Sequence, residues 1–181
     1  MEIESVSLNT ALGVAGAVIA LTLSAIGSGL GTGAAGSAAV GAWKKCYAQN
    51  KPAPFLLLSF VGAPLTQTLY GMILMFAIIP KAEAGASWLS LVLIGLFAGL
   101  AIGLSAVMQG RTAAAAADAQ GETGQGFTNF LAAIGIIETV AIFVMVFALI
   151  AIGKTTVKTE AAADNSSQAR SVLLSSQSPC V

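Results

Sequence analysis

Four long apolar segments constrain this chain more than any other feature of its sequence. They cover about residues 8–43, 55–79, 84–110 and 127–152, and each exceeds the roughly 20 residues that a helix needs to cross the hydrocarbon core of a bilayer. In lipid the backbone must satisfy its own hydrogen bonds, so only helices and closed barrels span a membrane. The segments are too long and too uniformly apolar for barrel strands of about 9–11 alternating residues. The sequence therefore predicts an all-α membrane protein with four transmembrane helices.

Composition narrows the class further. Hydrophobic residues make up 56% of the chain and charged residues 9%, and the formal net charge is zero. No overall basic field points to nucleic acid, and the helices lack the polar faces of a soluble bundle. Cys46 and Cys180 lie too far apart in sequence to suggest a metal site or a disulfide framework.

The chain is predicted to be two tandem copies of one helical hairpin. The first copy, residues 1–80, has helices at about 8–43 and 55–79; the second, residues 81–153, has helices at about 84–119 and 127–152. Both hairpins cross the membrane in the same sense, so the repeat is parallel rather than inverted.

Aligning the two hairpins matches their polar residues. Ser28 falls opposite Gln109, and Gln67 falls opposite Glu138. Within each hairpin the polar pair is symmetric about the connecting loop, so its two members lie at about the same depth. The second hairpin therefore carries the carboxylate, Glu138, and the first hairpin has Gln67 at the equivalent position.

Charges near the helix ends predict the orientation. Lys44, Lys45 and Lys51 lie in the first connection, and short basic loops stay cytoplasmic, which puts both termini outside. The acidic N-terminus does not resemble a cleavable signal, so the first helix is expected to be retained. Trp88 fits an outer interfacial anchor. Residues 154–181, rich in Ser, Ala, Thr and Gln, read as a disordered tail.

Small residues recur at every fourth position on the first and third helices. Such stripes let helix backbones approach closely in lipid. We therefore expect these helices to form a narrow inner layer, with the second and fourth facing lipid, and the simplest such assembly is a closed homo-oligomeric ring. The stripes are Gly29, Gly33, Ser37 and Gly41, with Gly27 and Gly31 adjoining, on the first helix, and Gly95, Gly99 and Gly103 on the third.

Glu138 is the one charged residue in the run from 123 to 153. A carboxylate near the middle of a membrane helix costs about 2.5–3.5 kcal/mol on insertion scales and is functional by default. The alternative is a neutral glutamic acid that merely hydrogen-bonds a neighbouring helix.

The second helix carries polar residues that match the depth of Glu138. Thr66, Gln67 and Tyr70 are three and four residues apart, so they share a helix face. Pro64 lacks a backbone donor and leaves nearby carbonyls, including that of Ala63, without helical partners. Each side chain taken singly fits interhelical hydrogen bonding, but together they favour an ion site.

The predicted site is made of oxygen ligands around one negative charge. Tyr70 is expected to donate a hydrogen bond to Glu138 and hold it. This set suits a hard monovalent cation better than a soft transition metal. The predicted ligands are the Glu138 carboxylate, the side-chain oxygens of Gln67, Thr66 and Gln109, and the backbone carbonyl of Ala63.

Three motifs carry a family resemblance. They are Pro64-x-Thr66-Gln67-x-Leu69-Tyr70-Gly71, Gln109-Gly110-Arg111 and Glu138-Thr139. With them, residues 10–153 resemble the four-helix proteolipid subunit, K or c, of V-type and A-type rotary ATPases, particularly the sodium-translocating bacterial form. The resemblance implies ion-site roles for the residues that match the family's positions, namely Glu138, Tyr70, Gln67, Gln109, Thr66 and the Ala63 carbonyl.

Some positions depart from the family pattern. Leu65 stands where the sodium form usually has Gly and is expected to narrow the site. Ala63 replaces a bulkier residue, and Val140 sits where an aromatic is common. The segment after Gly153 is not a family feature.

The resemblance implies a ring in the cell membrane that rotates against a stator subunit. An essential Arg of the stator would dislodge the ion from Glu138, and central-stalk subunits would contact the inner loops near Lys44, Lys45 and Asp118. The cargo is Na⁺ or H⁺, with no other cofactor. The chain lacks a GK[ST] phosphate loop, so it is not expected to hydrolyse ATP by itself.

Other functions stay open at this point. Several oxygen ligands favour Na⁺, whereas a proton needs only the carboxylate and a hydrogen-bonded pocket. A four-helix drug/proton antiporter also uses one membrane Glu, but early in the chain, where the first helix here has none. A structural pore former or fusion-type channel is the third class.

Overall fold

The computed structural model describes residues 7–155, and its regular elements in this range are helices. Four helical segments of the described chain are long and apolar enough to cross a membrane, which confirms the predicted class. The second of these segments, Leu57–Glu83, is made of three consecutive elements. The predicted tail from residue 156 onward, with Cys180, lies outside the described residues. The elements are α1 (Leu8–Ala48), α2 (Leu57–Gly62), a 3₁₀ turn (Ala63–Leu65), α3 (Thr66–Glu83), α4 (Trp88–Thr123) and α5 (Phe127–Lys154).

The helices α1 and α4 are much longer than a bilayer requires. They contain 41 and 36 residues, or about 60 and 54 Å at 1.5 Å per residue. The hydrocarbon core is about 30 Å thick, so both helices extend well beyond it. The helix α1 continues past the end of its apolar segment, through Lys44 and Lys45, to Ala48.

Local signals set the helix ends. The Ser7 side chain caps α1 by accepting a hydrogen bond from the Thr10 amide at 3.2 Å. At the other end of the bundle, Gly124 ends α4 with a φ of 69°, and Gly126 precedes α5 with a φ of 91°. Residues with a side chain rarely adopt this left-handed backbone, so glycine permits the tight connection between α4 and α5.

Glycine and alanine bring α1 and α4 into backbone contact along their length. A methyl group added at Gly27 would collide with the backbone of Gly103, and one at Gly110 with that of Gly31. An added β-carbon at Gly99 would lie 2.9 Å from the Ala20 Cα. The two helices run parallel, and this close approach depends on their lack of side-chain volume.

The stripe on α1 that meets α4 contains Gly27 and Gly31. The larger stripe predicted from the sequence lies on another face of α1. A β-carbon added at Gly29, Gly33 or Gly41 would meet nothing within 4 Å in the described chain. These three glycines are exposed, and they leave a smooth strip on the surface.

Two apolar clusters fill the interior at different depths. One includes Leu74, Ile78 and Leu91, and the other includes Leu57 and Phe60. The rings of Phe60 and Phe127 pack with their centroids 5.3 Å apart. Gln67 and Gln109, both fully buried, belong to neither cluster.

Polar contacts tie the two hairpins together at both ends. At one end the Asn9 side chain donates to the Ala86 carbonyl at 3.1 Å and accepts from the Trp88 amide at 3.4 Å. At the opposite end Lys45 pairs with Asp118 and Glu122, each at 2.9 Å. These pairs join the far ends of α1 and α4, so the two longest helices are held together by polar contacts at both ends.

Candidate ion-binding site

The site begins at a break in the second membrane-spanning segment, Leu57–Glu83. Pro64 lacks an N–H, and the helix tightens there into a 3₁₀ turn before α3 resumes. The turn leaves the Ala63 carbonyl to accept from Thr66, whose hydroxyl donates to it at 3.0 Å. The Ala63 carbonyl also accepts from the Thr66 backbone N–H, so it keeps a 3₁₀ partner and is not left free as we expected from the proline.

Two glutamines link α3 to α4 in the buried interior. Gln67 donates from Nε2 to Oε1 of Gln109 at 2.7 Å. The Gln67 Oε1 atom lies 3.3 Å from the Thr66 hydroxyl, whose single proton it shares with the Ala63 carbonyl. Neither glutamine is exposed, so both amides depend on protein partners for their hydrogen bonds.

Glu138 on α5 accepts a hydrogen bond at each carboxylate oxygen. The Tyr70 hydroxyl donates to Oε1 at 2.7 Å, and Gln109 Nε2 donates to Oε2 at 3.3 Å. The same Gln109 nitrogen also donates to the Ile134 carbonyl at 3.3 Å. Two neutral donors therefore hold a carboxylate in a half-buried position on a membrane helix.

The structure brings all six sequence-predicted site residues into one hydrogen-bonded network. It runs from the 3₁₀ turn through α3 and α4 to α5. The hydrogen bond that we expected from Tyr70 to Glu138 is among its members. The members are Ala63, Thr66, Gln67, Tyr70, Gln109 and Glu138. Their roles as ion ligands stay predictions.

The departures from the family pattern lie at the edge of this network. The side chain of Leu65 is 53% exposed and that of Val140 is 54% exposed. Both side chains therefore have much of their surface available to lipid or to another molecule. Ala63 takes part through its backbone carbonyl, for which its side chain is irrelevant.

Sequence reasoning missed the partners that fix α5 against α4. The Ser105 hydroxyl donates to the Ile137 carbonyl at 3.1 Å, and Gln109 donates to the Ile134 carbonyl. Both acceptors are backbone groups one turn or less from Glu138. A backbone acceptor has no signature in the residue types, so no pattern in the sequence marks these contacts.

The donor set of the network is rich in oxygen. It offers a carboxylate, two amide oxygens, a threonine hydroxyl and a backbone carbonyl, with one formal negative charge. Oxygen ligands of this kind coordinate hard cations. These groups come from the 3₁₀ turn, α3, α4 and α5, and hydrogen bonds from Tyr70 and Gln109 join α3 and α4 to Glu138.

Comparison with known proteins gives the family. The family of the ATP synthase C subunit matches residues 92–151, which include most of α4 and α5 and hence both Gln109 and Glu138. The A-type ATP synthase subunit K of Methanocaldococcus jannaschii is 32% identical over 140 residues, or 77% of this chain. The chain spans 60% of the length of that relative. The two comparisons agree with the resemblance predicted from the motifs: this chain is similar to the c and K proteins of ATP synthases.

Proposed function

We propose that this protein is the rotor-ring subunit of a V- or A-type ATPase that carries Na⁺ on Glu138. Copies of the chain form a ring, and each copy takes up an ion, turns past lipid and releases the ion at a stator subunit. Rotation is coupled to ATP hydrolysis or synthesis in other subunits. The observation that carries this proposal is the hydrogen-bonded network that joins Glu138 to five oxygen-bearing neighbours.

The exposure of α5 supports passage of the site along lipid. Its outer face bears large apolar side chains, and Glu138 lies half-buried among them. A bare carboxylate is costly in hydrocarbon, whereas a bound cation removes its net charge. The exposed apolar residues of α5 include Ile136, Phe143, Phe147 and Ile150.

The number of oxygen ligands favours Na⁺ over H⁺. A proton on Glu138 needs one acceptor, such as the Tyr70 oxygen 2.7 Å away, and makes no use of the amide oxygens. A cation instead uses the carboxylate as it is, and the amide oxygens add to its coordination. The proton-translocating rotor is the second candidate.

Surface features of α1 support the ring and its partners. The exposed strip at Gly29, Gly33 and Gly41 offers a neighbouring subunit the close helix contact that small residues allow. The far ends of α1 and α4, with Lys45 and Asp118, would lie on the cytoplasmic side and contact the central stalk. A stator Arg would compete with the cation for Glu138.

Carbodiimide labelling of the purified oligomer tests both the identity of the ion and its binding at Glu138. We expect labelling of Glu138 in the absence of Na⁺, and protection by added NaCl but not by an equal concentration of choline chloride. Glu138→Gln, which removes the carboxylate, is expected to abolish the labelling and coupled ion transport. Labelling that responds to pH but not to Na⁺ would establish a proton rotor.

Native mass spectrometry separates the other classes of function. A large, SDS-resistant ring of identical subunits agrees with a rotor, whereas a dimer would indicate the antiporter. Coupled transport that persists undiminished in Glu138→Gln vesicles would contradict both sodium and proton versions of the proposal.

A further inference from the structure

Four of the serine and threonine hydroxyls on α1 fall into two pairs that behave differently. Ser24 and Ser37 each donate to the carbonyl four residues before, at 2.8 Å. Ser28 Oγ and Thr32 Oγ1 are buried and have no hydrogen-bond partner within residues 7–155. Since a buried hydroxyl without a partner is costly, the two central hydroxyls differ from their neighbours in a way that calls for a use.

Contacts between α1 and the second membrane-spanning segment show what Ser28 faces. The two run antiparallel, and three contacts set a constant register between them. By this register Ser28 lies level with Gln67, and Thr32 lies level with Ala63. The contacts join Gly13 with Ala82, Ser24 with Gly71, and Gly31 with Pro64. Ser28 is therefore a buried residue level with Gln67, one turn along α1 from the contact of Ser24 with Gly71.

Cation binding creates a need for an acceptor at this place. Gln67 Nε2 donates to Gln109 Oε1 in the described arrangement. When Gln109 Oε1 turns to a cation, the Gln67 amide loses that acceptor inside a fully buried environment. A buried donor left unpaired opposes the rearrangement and weakens cation binding.

We propose that Ser28 Oγ is the alternative acceptor for Gln67 Nε2 while the cation is bound. Ser28 is then a positioning residue, which acts on the cation through Gln67 and helps to set the affinity of the site. The Ser28 hydroxyl then donates its own proton to the carbonyl of Ser24, four residues before. Ser24 and Ser37 already donate to the carbonyl four residues before them. The inference rests on the proposed function, because it concerns the same cation.

The test compares Ser28→Ala with Ser24→Ala in the purified oligomer. Both changes remove one buried hydroxyl from α1, one turn apart, but the Ser24 hydroxyl is already satisfied within its helix. Carbodiimide labelling of Glu138 is followed against NaCl concentration and, without Na⁺, against pH. We expect Ser28→Ala to raise the NaCl needed for half-protection by about 3- to 10-fold, as loss of one hydrogen bond predicts. Ser24→Ala should leave it unchanged.

The pH profile without Na⁺ separates positioning from a merely structural effect. Ser28 makes no hydrogen bond to the network in the described arrangement, so Ser28→Ala should leave that profile unchanged. An unchanged half-protection, or an equal disturbance of both profiles, would overturn the inference. If the alanine variant fails to assemble, Ser28→Cys keeps the side-chain size with a weak acceptor and should shift half-protection in the same direction. Wild-type protein that NaCl does not protect would refute the sodium function itself.

Discussion

At the scale of single residues, the site depends on Glu138, which accepts hydrogen bonds from Tyr70 and Gln109. An isolated carboxylate in a membrane helix is conspicuous, and hairpin symmetry placed Gln109 at its depth. Tyr70 and Gln67 followed from helical spacing, because residues three and four apart share a face. Hairpin symmetry also predicted that Ser28 lies level with Gln67, and the contacts of α1 with the second membrane-spanning segment give the same register.

The Tyr70 hydroxyl is expected to hold Glu138 in its binding position. Tyr70→Phe removes the donor at 2.7 Å while keeping the ring. Hydrogen bonds to charged groups contribute about 1.5–3 kcal/mol, so Na⁺ binding should weaken about 10-fold or more. The measurement is the NaCl concentration that half-protects Glu138 from carbodiimide.

Tyr47→Phe provides the matched control for this change. Tyr47 is 69% exposed near the end of α1, far along the helix from the network. It should bind Na⁺ as the wild type does. Equal affinity in the Tyr70 variant and the wild type would mean that the hydroxyl does not hold the carboxylate in the bound state.

At the scale of helices, the apolar segments predicted which parts of the chain cross the membrane but not how far the helices run. Hydropathy marks the hydrocarbon-spanning part, whereas α1 and α4 continue through Ala-rich and charged sequence to Ala48 and Thr123. Those extensions are stabilised by contacts between helices, which hydropathy does not register. Pro64 was expected to remove a backbone donor within one continuous helix, and the structure adds a 3₁₀ turn at Ala63–Leu65 that was not predicted.

The contact between α1 and α4 is expected to tolerate no added volume at Gly27. Gly27→Ala places a methyl group against the backbone of Gly103, and overpacking of this kind costs about 1–3 kcal/mol. We expect less assembled oligomer to survive heating in SDS than in the wild type.

Gly135→Ala is the corresponding control on α5. A β-carbon at Gly135 meets nothing within 4 Å in the described chain, and alanine favours a helix more than glycine does. The oligomer of this variant should survive heating in SDS at least as well as the wild-type oligomer. Equal losses in the two variants would show that the α1–α4 contact is not the sensitive one.

At the scale of the whole molecule, the exposed strip on α1 separates folding from assembly. Gly33 contacts nothing across the strip within one chain, so Gly33→Leu should leave helix content unchanged. In a ring, the added side chain would stand between neighbouring copies and prevent their close approach. Circular dichroism should match the wild type, while native mass spectrometry should show loss of the large oligomer. A full-sized ring in this variant would place the interface between copies elsewhere.

The uninterrupted course of α1 and α4 bears on how force would travel through such a rotor. Each is a single unbroken helix that passes the level of Glu138. Near their far ends, an ion pair between Lys45 and Asp118 joins the two helices. Backbone contact through glycine leaves little room for one helix to slide or bend against the other. A sideways force on Glu138 would therefore be transmitted to the ends of α1 and α4 with little twisting of the two helices against each other.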